Sequence, residues 1–98
     1  MTSLEGSVKS IIIRDTLKLF IEIPIFDELS EKEKLELKSR IHCGPVVLNQ
    51  NGRSFKGEIT SIMSLDGGKI ISVAAELGKS HAHALSLGMI SLEYVNPD

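Results

Sequence analysis

Aliphatic and polar residues alternate most regularly between Thr16 and Ile25. Leu17, Leu19, Ile21, Ile23 and Ile25 share one parity, and Lys18, Phe20, Glu22 and Pro24 the other. A period of two is that of a strand with one face on a core. Pro24 has no N–H to donate, so ladder pairing is expected to end near it. A second alternation runs from Lys69 to Glu76, with Ile71, Val73 and Ala75 on one face. Its other face carries Ile70 and Ala74, which suits a central strand. Shorter apolar stretches, Val46 to Leu48 and Arg53 to Ile59, flank Asn51-Gly52. That dipeptide supplies the positive φ angles of a tight hairpin. Ile11, Ile12 and Ile13 form a β-branched run within Lys9 to Arg14. Met1 to Ser7, ahead of it, is polar and reads as mobile.

Three segments carry helical signals. In Phe26 to Ile41, Ser30 and Glu33 fit a capping box, Glu36 and Arg40 form an i,i+4 pair, and Leu37 and Ile41 share a stripe. Pro45 ends any helix that reaches it. Thr60 or Ser61 can cap a short helix holding Ile62, Met63 and Leu65, closed by the turn Asp66-Gly67-Gly68. In Gly78 to Val95, Leu85, Met89 and Leu92 stand at i, i+4 and i+7, and Asn96-Pro97 stops the helix. The expected fold is α+β: a two-layer, open-faced sandwich with an antiparallel sheet of about four strands and helices on one face. Leu17, Leu19, Ile21, Ile71 and Val73 are expected to be buried against those helices.

Ninety-eight residues make one domain with one core. Aromatic residues are few (Phe20, Phe26, Phe55 and Tyr94), so the core must be aliphatic. The formal net charge of −2 supplies no field that would draw nucleic acid or an anionic membrane. Stacking aromatics on a basic groove, the usual single-strand platform, are lacking too. Cys43 is the only cysteine. It can form no internal disulfide, which favours a reducing compartment. No apolar run approaches the ~18 residues of a membrane span. The N-terminus has no long signal-like hydrophobic region, so the cytoplasm is the expected location.

His81 and His83, with His42 and Cys43, are the side chains that suit zinc. On a helix, residues two apart point to nearly opposite sides, and no spaced cysteine pair supports a site. Cys43 follows His42, but neighbours in sequence seldom hydrogen-bond side chain to side chain as a nucleophile and base require, so no enzyme activity, cofactor or metal is expected.

The run NGRSFKGEITSIMSLDGGKIISVAAE resembles the central part of HPr, the histidine-containing phosphocarrier family of the bacterial sugar phosphotransferase system. Asn51-Gly52-Arg53 is similar to that family's NGK element, and Ser61-Ile62-Met63 to its helix start. Ile70 to Glu76, followed by Gly78, is similar to its closing strand. The resemblance extends over roughly Thr16 to Val95. It implies an HPr-like domain over residues 16–98, preceded by an extension or extra strand over residues 1–15. The family's acceptor histidine would fall at Glu28, where the chain offers no histidine, arginine or helix-opening proline. The resemblance therefore implies a non-catalytic module that binds and regulates a protein partner. Ser61 becomes a candidate for regulatory phosphorylation, and Ile62 and Met63 for partner binding. A homodimer through the N-terminal extension is a further possibility. The alternatives are a phosphocarrier with an unrecognised acceptor histidine, and a small His/Cys metal-binding protein.

Overall fold

In the computed structural model, which describes residues 3–95, the chain runs β1 (Leu4–Ile13), β2 (Leu17–Pro24), α1 (Glu31–Ser39), β3 (Gly44–Gln50), β4 (Arg53–Leu65), β5 (Ile70–Leu77) and β6 (Gly88–Tyr94). Two short 3-10 helices, Asp66–Gly68 and Lys79–Ala84, link the later strands. The six strands close in the order β1-β2-β5-β4-β3-β6, every neighbour antiparallel, with β6 returning to pair Leu4 with Leu92.

Side chains on alternate positions fill the interior. Leu17, Leu19, Ile21 and Ile23 of β2 are at most 2% exposed. Ile71, Val73, Ala75 and Leu77 of β5, Val46 and Leu48 of β3, and Ile90 and Leu92 of β6 complete the core. Among the intervening positions, Lys18 of β2 and Glu76 of β5 form a cross-strand pair at 3.6 Å. β2 leads out of the barrel towards α1, and β5 leads out at the opposite end towards Lys79–Ala84. Ile25, Leu37 and Ile41 cover the first end, and Ala82, Ala84 and Leu85 pack on the core near the second.

This architecture corrects the expected open-faced α+β sandwich of about four strands. The sheet is antiparallel, and the five residues expected to be buried are buried. They face other strands of a closed barrel, however, not a helical layer. Gly78 to Val95 is not a helix. Gly88 has φ of +112°, and beyond it Ile90 and Leu92 point inward while Met89 is 71% exposed. A helical stripe would have buried Met89 with Leu85 and Leu92. Pairing with β1 and β3 on both sides satisfies the backbone of this stretch and outweighs its helical signal. The short helix expected at Ser61 is likewise absent. β4 runs straight through to Leu65, and Asp66-Gly67-Gly68, all with positive φ, turn the chain into β5. Leu4–Ile13 forms β1, which pairs with β2 and β6 and closes the barrel. The stop signal Asn96-Pro97 lies outside the described residues.

α1 forms as its capping box dictates, though over a shorter span than Phe26 to Ile41. Ser30 Oγ accepts from Glu33 N at 3.1 Å, and Glu33 Oε1 accepts from Ser30 N at 2.9 Å. The bond to the Ser30 backbone holds the Glu33 carboxyl below its usual range. The cap's ionic contribution is therefore present above that range and is lost as pH falls through the lowered value. The other predicted turn is found at Asn51 and Gly52, with φ of +53° and +77°.

Candidate partner-binding edge

β4 is longer than the strand beside it. Its pairing with β3 runs from Arg53–Gln50 only as far as Ile59–Gly44. Its pairing with β5 continues to Leu65–Ile70. Among the described residues, no strand pairs with the outer edge of β4 from Thr60 to Leu65. A register shift between Ile59 and Ser61 marks the start of this free edge. There the Thr60 hydroxyl donates to Ala74 O at 3.4 Å.

The free segment reads Thr-Ser-Ile-Met-Ser-Leu, uncharged, between Glu58 and Asp66. Edge strands are normally blunted by charge, proline or a covering element, because their N–H and C=O groups otherwise template another strand. Here the six residues carry neither charge nor proline. Thr60 to Ser64 are all exposed, with Ile62 at 40% and Met63 at 62%. Ile62 lies opposite Val73, on the inner face but beyond the reach of β3. Met63 lies opposite Ser72, on the outer face. The two partner-binding candidates are therefore adjacent on one exposed edge.

Ser61 sits next to them on the strand. It is exposed, but it caps no helix, so a phosphate there would meet no helix N-terminus and no aligned amides. That removes the physical reason for singling it out.

Glu28, the position corresponding to the family's acceptor histidine, is exposed in the turn before α1. The first turn of α1 carries Glu31 and Glu33, a field that disfavours a phosphoryl group. The histidines lie elsewhere. His42 stacks on Tyr94 with ring centroids 4.0 Å apart. Its Nδ1 is 3.0 Å from Cys43 O. Tyr94 Oη accepts from His42 N at 2.9 Å and donates to His42 O at 2.6 Å. Burial pushes the Tyr94 phenol above its ordinary pKa, and the His42 backbone bond offsets part of that rise. His81 meets Phe55 edge-on, and His83 is exposed. Among the described residues, no three His, Cys, Asp or Glu side chains converge as metal ligands would. A shallow cleft between α1 and the β4–β5 turn brings Lys34, Lys38 and Lys69 near Asp27 and Glu31. Lys34 and Glu31 are 3.5 Å apart, so the signs are mixed and the cleft has no strong bias towards an anion.

Sequence reasoning missed Gln50. It is 4% exposed, inside the barrel mouth. Its Nε2 donates to Ser86 O at 2.9 Å and Met89 O at 3.1 Å, and its Oε1 accepts from Ser86 N at 2.9 Å. One amide thus fixes the loop that leads into β6. The available signal was that Gln50 continues the parity of Val46 and Leu48. Gln50→Leu should orphan an N–H and two carbonyls and cost about 1–3 kcal/mol. Denaturant titration checks the cost, and faster amide exchange at Ser86 checks its location.

Comparison with protein families, curated proteins and solved structures gives no match. No helix among the described residues is long and apolar enough to cross a membrane.

Proposed function

We propose that the chain is a non-catalytic protein-binding module that takes an extended segment of a protein partner onto the free edge Thr60–Leu65. The observation that carries this reading is the unpaired, uncharged and exposed edge itself. Strand addition draws affinity from main-chain hydrogen bonds and specificity from alternate side chains. Ile62 and Met63 offer one apolar contact to each face of an added strand. Assignment to the phosphotransferase system is no part of this reading, because the open sandwich implied by that resemblance is not the fold. A reducing compartment such as the cytoplasm is part of the proposal, supported by the single exposed Cys43.

The test compares partner capture by the wild type and by the double variant Ile62→Lys, Met63→Lys. Both residues are exposed, so the variant should unfold at a midpoint close to that of the wild type. Loss of the partner, with hydrogen-exchange protection of Thr60–Leu65 only in the wild-type complex, is the expected result. A partner that binds both proteins equally, with no protection of this segment, would overturn the reading.

A further inference from the structure

We infer that the strand added to the Thr60–Leu65 edge is the same edge of a second copy of this chain, in an antiparallel ladder with Met63 on the two-fold axis. The inference rests on the strand-addition reading above and names its occupant. Two-fold pairing of identical antiparallel strands requires that residues facing each other lie on the same face of the joint sheet. Side chains alternate with a period of two, so the axis must pass through a residue and not between two residues. Within this segment, the axes that give the longest ladders pass through Ile62 or Met63.

The two axes differ in what they bring together. An axis through Ile62 starts the ladder at Thr60, the residue at the register shift, directly beside Ile59, where β3 already holds Gly44. An axis through Met63 uses residues 61–65 instead. It sets Met63 against Met63 of the second copy, Ser61 against Leu65, and Ile62 against Ser64. No charge faces a like charge, and the ladder starts one residue further from β3. The side chain on the axis, Met63, is at 62% the more exposed of the two candidates. An edge without charge repels no copy of itself, and it offers no sign by which to select a charged stranger.

Five residues a side bury less than the roughly 1,200 Å² of a stable specific interface. The equilibrium should therefore be concentration-dependent and weak.

Sedimentation equilibrium from micromolar to millimolar protein tests the inference. The apparent mass of the wild type should rise from 10.7 kDa towards twice that value and stop there. Met63→Lys should stay monomeric, because it sets two ammonium groups face to face, and Met63→Glu should stay monomeric for the same reason. Mixing the two variants should restore a dimer, since each charge then meets its opposite across the axis. Unchanged unfolding midpoints for both variants exclude misfolding as the cause. A wild type that is monomeric throughout, or a Met63→Lys variant that still dimerises, would overturn the inference. So would growth beyond a dimer that is abolished by Ile12→Lys, which would mean that Lys9 to Ile13 of β1, also unpaired on one side among the described residues, occupies the β4 edge head to tail. If the wild type is monomeric yet a heterologous partner still protects Thr60–Leu65, this inference fails and the strand-addition reading stands.

Discussion

Leu48→Ala should lower the unfolding free energy by about 2–5 kcal/mol. Leu48 is fully buried on β3 and is paired with Phe55 of β4 and with Leu92 of β6. It therefore sits where the β3–β4 hairpin meets the strand that closes the barrel. Removing three carbons there loses their transfer free energy and leaves a cavity. The surrounding side chains belong to strands tied on both edges, so the walls cannot collapse inward without breaking ladder bonds. The cost should fall in the upper part of that range. For a chain of this size, each kcal/mol moves the thermal midpoint by about 4–8 °C. Leu35→Ala is the control: Leu35 is 67% exposed on α1, and its loss should change stability by no more than about 0.5 kcal/mol. Equal effects of the two substitutions would mean that Leu48 does not lie in the core.

What the sequence disclosed and what it concealed follow from the range of the interactions involved. β2 and β5 were legible because their inward rows are unbroken aliphatics. The capping box of α1 and the Asn51-Gly52 turn were legible because each is settled within four residues. β6 was not legible, because Leu85, Met89 and Leu92 fit a helical stripe as well as Ile90 and Leu92 fit a strand. Only pairing with β1 and β3, both remote in sequence, decides between the two. The end of β4 failed for a related reason. Ser61 to Leu65 is short and free of charge, and the glycines after it serve equally to end a helix or to turn a hairpin.

The same limit applies to the site. Ile62 and Met63 were singled out through a family resemblance whose fold the chain does not have. What makes them accessible is the mismatch in length between β3 and β4. No local pattern encodes that mismatch, because it depends on where β3 begins relative to β4. The charge-free run from Thr60 to Leu65 was visible, but within an expected helix it had no significance as an edge.

Gly6→Val should be the other strongly destabilising substitution, and it concerns the strand that the sequence concealed most fully. Residues 4–7 fall in a stretch that reads as polar and mobile, because Gly6 contributes no hydrophobic signal to the row Leu4, Gly6, Val8. All three are buried. A Cβ at Gly6 would lie 2.7 Å from Glu22 O and 2.9 Å from Ile21 Cγ2. The first of these atoms is backbone of β2, which is paired with β1 on one side and β5 on the other, so it cannot give way by rotating a side chain. β1 must move instead, and its moving strains the Leu4–Leu92 to Val8–Gly88 pairing that closes the barrel. Overpacking of this kind costs about 1–3 kcal/mol, and the branched valine should fall at the upper end. Gly78→Ala is the matched control, because the nearest atom to its Cβ, Ser80 Oγ, is 3.9 Å away. The expected result is a lowered denaturation midpoint for Gly6→Val alone, with faster amide exchange along Leu4 to Val8 and along Gly88 to Leu92. An unchanged midpoint with protected β1 amides would show that β1 does not pack against β2 at Glu22, and the closure of the barrel would have to be drawn differently.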